Sequence, residues 1–166
     1  MDTMAEEGDV VEVGGQRFRF DRATREDVPA IVAMLADDPL GSGRESGVEE
    51  AGYRAAFDAI DVDPAHLLVV VRDRAGEPAG TMQLTLLPGL SRGGATRLQI
   101  EAVRIAAAYR GHGLGTAMIE WAHEHGRRNG ARLVQLTTDN SRTDAHRFYE
   151  RLGYRASHVG MKRPLD

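Results

Sequence analysis

The 166 residues predict an α/β protein of one domain, a single mixed sheet with helices on both faces, in the order β-α-α-β-β-β-α-β-α-β. Three observations carry this. A chain of this length is expected to form one domain and can bury close to ~70% of its unfolded surface. Short β-branched runs alternate with stretches whose apolar residues recur at helical spacing. One segment, Gln99 to Trp121 (QIEAVRIAAAYRGHGLGTAMIEW), reads as a strand, a glycine-rich turn and a helix in direct succession.

Taken in order, residues 1–9 read as a disordered tail, and the domain proper as 10–166. Val10 to Phe20 is a hairpin around Gly14-Gly15. Thr24 followed by Asp27, then Ile31, Met34 and Leu35, is a capped amphipathic helix that should stop near Asp37-Asp38-Pro39. Leu40 to Gly47, rich in glycine and serine, reads as a loop. Glu49 to Ile60 is a helix with Tyr53, Ala56, Phe57 and Ile60 on one face. His66–Arg72 and Ala79–Leu87 form a hairpin turned by residues 74–77, and Pro88 to Gly94 is a loop. After the central unit come a strand (Arg132–Thr138), a helix (Asp144–Leu152) closed by Gly153, and a final strand (Tyr154–Pro164).

Composition excludes several classes. There is no cysteine, so disulfides, thiolate metal sites and a cysteine nucleophile are out. His123 and His125 face different ways on a helix, and no metal constellation is visible. No apolar run is long enough to span a membrane, and the acidic start MDTMAEEGDV is unlike a signal peptide, so a cytoplasmic protein is expected. A net charge of −4 argues against nucleic-acid binding. The charge is uneven: from Arg97 onward 12 basic residues face 7 acidic ones, against 9 and 18 before it. A basic C-terminal part suits an anionic ligand. A homodimer is compatible with all of this.

The glycine turn favours an anion. Gly111, Gly113 and Gly115 allow close backbone approach, and the helix behind them points its amides and dipole forward. A dinucleotide fingerprint needs its third glycine one residue later, and a P-loop needs a lysine where the chain has none. What fits is R-x-x-G-x-G on Arg110, Gly113 and Gly115, which resembles the acetyl-CoA pyrophosphate loop of the GNAT N-acetyltransferase superfamily. A second block resembles the same superfamily: a strand running into Asn140, then a helix with Ala145, Phe148, Tyr149, Gly153 and Tyr154. The likeness runs from about Phe18 to the C-terminus. One departure is Ala107, where relatives usually carry a proline that stiffens the turn. The helix block DAHRFYERLGY also resembles aminoalkylphosphonate acetyltransferases, which points to a small primary amine as acceptor.

The resemblance implies acetyl transfer from acetyl-CoA to an amine within a ternary complex, with no metal. Tyr149 is then the acid that protonates the departing thiolate: a phenol titrates near ~10, above a thiol, and so can donate. It is otherwise a packing residue beside Phe148. Glu101 is the candidate base, on the expectation that the sheet interior encloses it; the alternative is an ion pair with Arg104 or Arg97. Strand alternation puts Glu101, Val103 and Ile105 on one face and Arg104 on the other. Val103 and Ile105 resemble positions whose backbone pairs with the pantetheine arm. Arg110, Gly111, His112, Gly113, Leu114, Gly115 and Thr116 would hold the pyrophosphate. Asn140 would hold the pantetheine or Tyr149, or simply form the turn. Arg142 and Arg147 are either adenosine contacts or solvated surface. His146 and His158 could line the acceptor site, with the loops 40–47 and 88–94 and the helix around Tyr53 and Phe57. The alternatives are an inactive CoA-binding sensor, a protein N-terminal or lysine acetyltransferase, and a nucleotide binder.

Overall fold

The computed structural model describes residues 8–45 and 49–165, and the chain divides into two compact units, the first ending at Gln135 and the second beginning at Leu136. Six strands form one sheet in sequential order: β1 (Asp9–Val13), β2 (Gln16–Arg22), β3 (His66–Arg72), β4 (Pro78–Leu87), β5 (Thr96–Ile105) and β6 (Ala131–Leu136). The first five pair antiparallel. The helices are α1 (Val28–Ala36), α2 (Pro39–Glu45), α3 (Glu50–Val62), α5 (Leu114–Arg128) and α6 (Thr143–Arg151), while the short segment α4 (Ser91–Gly94) is a left-handed turn with Arg92, Gly93 and Gly94 at positive φ, inside the expected loop. Most of the expected elements form, with ends shifted by a few residues. β1 begins inside the expected tail, because Asp9 pairs with Phe20 and accepts a hydrogen bond from Trp121 Nε1 (2.9 Å). Residues 1–7 lie outside the described part.

Strand pleating divides the core of the first unit in two. On one sheet face Val70 packs with Ile31 and Met34 of α1 and Phe57 of α3. On the other, α5 seats Met118 against Gly80 and Gly126 against Leu98, and Phe20 stacks on Trp121 with ring centroids 5.2 Å apart. Glycine at 80 is what permits the first approach: a Cβ there would lie 2.9 Å from Met118 Sδ and 3.2 Å from the Arg104 carbonyl. Helices thus flank the sheet on both faces, as the sequence predicts.

Three expectations fail, each for a local reason. The segment 40–47 is not a loop through its first residues, since Pro39–Glu45 is helical; 46 and 47 lie outside the described residues. Asp38 Oδ1 accepts the Gly41 N–H (2.7 Å), as an N-cap does, and Pro39 suits the first turn. Gly41 is there for contact, since a Cβ would sit 1.9 Å from the Leu35 carbonyl oxygen. Tyr154–Pro164 forms no strand, and Val159 and Met161 are largely exposed. Alternation along β5 breaks at Ala102, a non-glycine residue with φ 53°. Gln83 pairs with Glu101 but Thr81 with Arg104, so two residues of β5 oppose the single residue Met82. This β-bulge turns Arg104 onto the face that carries Glu101.

An ion cluster ties the start of α1 to the sheet. Arg72 on β3 donates to Asp21 (3.0 Å) and, through Nη2, to both oxygens of Asp27 (2.7 and 2.8 Å), whose carboxylate also takes the Thr24 N–H (2.8 Å). Asp27 is 6% exposed. Arg72→Ala leaves that carboxylate buried without its cation, an expected loss of about 3 kcal/mol, the lower end for a broken buried pair. Chemical denaturation reads it; Arg72→Ala with Asp27→Asn should recover part of the loss, because no buried charge then remains.

Candidate functional site

The end of β5 and the start of α5 build the glycine turn. After Ile105 the chain makes a short 3-10 turn, Ala107–Tyr109, and Arg110 leads into Gly111 (φ 76°) and Gly113 (φ 89°). Gly113 is the N-cap of α5 and offers no side chain to its amides. The first bond closing the helix is Ala117 N–H to Gly113 O (3.2 Å). The amides of Leu114, Gly115 and Thr116 therefore precede any intrahelical partner and lie at the positive end of a 15-residue helix. A Cβ at Gly111 would meet nothing within 4 Å, so the backbone is open to a ligand there. Leu114 is buried and anchors the turn; Gly111, His112, Gly113 and Thr116 are exposed. This is a fixed set of donors for phosphate oxygens.

Neighbouring elements fix the turn's position. The Tyr109 hydroxyl donates to Asp73 in the β3–β4 turn, and its ring lies edge-on to Phe18, centroids 5.6 Å apart. Asp73 Oδ1 also accepts the amides of Ala75 and Glu77, each at 2.9 Å. The Tyr109 bond is the main reason the Asp73 carboxyl is held below the usual carboxylate range, and it raises the Tyr109 phenol in turn. Its stabilisation is present above the unfolded aspartate pKa of ~3.9, fades as pH falls through the lowered folded value, and is lost again as the phenol ionises at high pH. Tyr109→Phe should lower Tm by about 2–4 °C at neutral pH, with the deficit closing in acid. Thermal melts of both proteins between pH 3 and 8 measure this.

Arg110 is held sideways. Its Nε donates to the Ile105 carbonyl (3.0 Å) and its Nη2 to Asp37 (2.7 Å), at the end of α1. Beside it, Arg104 Nε lies 3.1 Å from Asp38 Oδ2, and Arg104 Nη1 donates to the Val103 carbonyl (2.9 Å). Two adjacent aspartates thus reach two arginines that bracket the end of β5. A cleft of about 460 Å³, lined by Met34, Asp37, Ala106 and Ala107, lies beside them. A second, of about 230 Å³, lies between the β1–β2 hairpin and the turn, against Val13, Tyr109, His112 and Leu114.

Glu101, Val103 and Ile105 lie on β5, leading to that turn. Glu101 is exposed, not enclosed by the sheet: full burial along β5 ends at Ile100. Among the described residues no ion pair holds its carboxylate; Arg104 is engaged with Asp38, and Arg97 donates to Gln135 (3.3 Å). Val103 and Ile105 are half-buried beside the bulge.

The second unit carries the other block. Asp139 Oδ1 accepts the Ser141 amide (3.0 Å) and hydroxyl (2.7 Å), closing a turn through exposed Asn140. His146 Nε2–H donates to the Asp139 carbonyl (2.9 Å), so this histidine serves the turn. Arg147 lies 3.2 Å from Asp144, and His158 contacts Ser157 on an exposed stretch. Helix α6 ends in a Schellman motif: Tyr154 N–H bonds to the Tyr149 carbonyl (3.1 Å) and Gly153 N–H to Glu150 (3.0 Å), with Gly153 at φ 88°. The same motif brings the Tyr149 and Tyr154 rings together, centroids 5.5 Å apart, and Phe148 packs edge-on to Tyr149 at 5.0 Å. The half-buried Tyr149 ring is therefore held from two sides.

Sequence reasoning missed Asp37, Asp38, Asp73 and Tyr109, whose partners lie far along the chain. Among the described residues no cluster of His, Asp and Glu is arranged for a metal, and no helix is long and apolar enough to cross a membrane.

Residues 19–154 match the model of the acetyltransferase (GNAT) family. Aminoalkylphosphonate N-acetyltransferase of Salmonella typhimurium is 30% identical over 144 residues, 86% of this chain and 88% of that protein. Glucosamine 6-phosphate N-acetyltransferase of Trypanosoma brucei is 37% identical over 90 residues, 54% of this chain and 59% of that protein. A crystal structure from Bacillus halodurans, described as a transcriptional regulator, is 41% identical, with a TM-score of 0.84 over 89% of this chain and 99% of that one.

Proposed function

The chain belongs to the acetyltransferase (GNAT) family, and from that we propose that it moves the acetyl group of acetyl-CoA onto the primary amine of a small molecule, directly, with both substrates bound. The observation that carries this is the turn at the start of α5, whose open amides and absent side chains suit a pyrophosphate. Gly111, Gly113 and the amides of Leu114–Thr116 would bind it, with His112 over the turn. The backbone of Val103 and Ile105 would take the pantetheine arm, and Asn140 would support it. Acetyl-CoA supplies an activated acyl group, so the protein need only orient the two substrates and move protons. Glu101, exposed to solvent, would take the proton the amine gives up, directly or through water. Tyr149 would give one to the leaving sulfur. Arg110 is anchored through Nε and Nη2 to Ile105 and Asp37, and its Nη1, unengaged among the described residues, would be the donor it offers a phosphate beside the backbone amides.

Two relatives act, by their names, on an aminoalkylphosphonate and on glucosamine 6-phosphate, which supports a small amine as acceptor. The B. halodurans description favours a second reading, a CoA-binding regulator without turnover. One experiment separates them: CoA release with a panel of small amines, beside acetyl-CoA binding by calorimetry. Turnover of an amine supports the enzyme, binding without any turnover supports the regulator, and no binding removes both.

A further inference from the structure

The sheet face that carries Glu101 also carries polar side chains unused above. Register defines the row: Gln83 pairs with Glu101, and Thr85 pairs with both Gln99 and His66. Cross-strand partners share a face, so these side chains stand together. On β5, Arg97, Gln99 and Glu101 alternate with Leu98 and Ile100, which are 0% and 2% exposed on the other face. On β6, Gln135 Nε2–H donates to Gln99 Oε1 (2.7 Å) while its Oε1 accepts from Arg97 Nη1 (3.3 Å).

The charges on this row are unmatched. Arg72, Arg104 and Arg110 all reach carboxylates, but Arg97 is half-buried and, among the described residues, its side chain hydrogen-bonds to the Gln135 amide and to no carboxylate. Glu101 lacks an ion pair among those residues. One bare cation and one bare anion therefore stand four residues apart on one strand face, their Cα atoms about 13 Å apart at the usual rise per residue. A half-buried charge without a counter-charge is costly, and a ligand that supplies the opposite charge removes that cost.

We propose that this face reads a zwitterionic acceptor, with Glu101 receiving its ammonium end and Arg97, braced by Gln135, receiving an oxyanion group, phosphoryl or carboxylate, at its other end. This rests on the acetyl-transfer reading above and names its substrate class. Gln135 fixes the guanidinium plane by accepting from it while donating to Gln99, so a planar fork is presented to the ligand.

The test compares 2-aminoethylphosphonate, β-alanine and neutral propylamine as acceptors. Arg97→Met should raise KM for the two anionic amines by about 10–10²-fold, the worth of a bond to a charged group, with kcat nearly unchanged. Propylamine should stay within about twofold. Gln135→Glu, which sets a carboxylate against Arg97, should show the same pattern without removing a large side chain. Equal losses for all three amines, or unchanged KM for both anionic ones, would overturn the proposal. Phosphonate and β-alanine responses tell a phosphoryl reader from a carboxylate reader. Calorimetry of 2-aminoethylphosphonate without acetyl-CoA makes the test independent of turnover. Heat in the parent protein that Arg97→Met abolishes supports the proposal even if no amine is acetylated. No heat in the parent, or equal heat in both, defeats it.

Discussion

Gly113→Asp is expected to lower acetyl-CoA affinity by at least about 10²-fold while leaving the protein folded. Gly113 is the N-cap of α5 at φ 89°, and a Cβ there would lie 3.6 Å from Val13 Cγ1, an ordinary contact. The positive φ strains any side chain by about 1–3 kcal/mol, but aspartate is among the residues that tolerate it best. Strain of this size should lower Tm by a few degrees and leave the protein folded at room temperature. The aspartate carboxylate would occupy the donors reserved for phosphate and place a negative charge where a second must approach. Losing two charge-assisted bonds, at about 1.5–3 kcal/mol each, accounts for the expected weakening. Calorimetry with acetyl-CoA, beside a thermal melt, separates blocked binding from unfolding. Unchanged affinity in a folded Gly113→Asp protein would remove this turn as the pyrophosphate site.

The turn could be read from the chain because its demands are local. Glycines at 111 and 113 adopt φ values that other residues avoid, and Leu114 starts an apolar periodicity that needs no knowledge of the rest of the fold. Gly153 announced the end of α6 on the same grounds. The failures occur where a residue type answers to a distant partner. Gly41 and Gly43 gave 40–47 the composition of a loop, yet Gly41 is required by the Leu35 carbonyl pressed against its helix. The bulge in β5 carries no sequence signal, since the residue with φ 53° is an alanine. Its consequence is large: alternation assigns Arg104 and Glu101 to opposite faces, and the extra residue returns them to one. Arg110 was legible as part of the motif but not in its engagement, which depends on Asp37 at the end of α1, 73 residues earlier. Helix ends and turns are written locally, whereas register and ion-pair choice belong to the assembled sheet.

Tyr149→Phe carries the largest expected effect on chemistry. The change removes one oxygen and keeps the ring, which the Schellman turn and the contacts with Phe148 and Tyr154 hold in place. Stability and acetyl-CoA affinity should therefore change little. If the phenol protonates the leaving thiolate, its help is felt only as the carbon–sulfur bond breaks, and kcat should fall by about 10²–10⁴-fold, the range for a positioned acid. Glu101→Gln offers the contrast. A base matters most where the amine is protonated, so its deficit should be largest at low pH and should shrink as pH rises. The two variants thus differ in the shape of their pH profiles as well as in magnitude. Single-turnover measurements are required, because slow product release would hide a change in the chemical step. A Tyr149→Phe enzyme with the full single-turnover rate would reduce Tyr149 to a packing residue of α6. The thiolate would then have to leave unprotonated or take its proton from water.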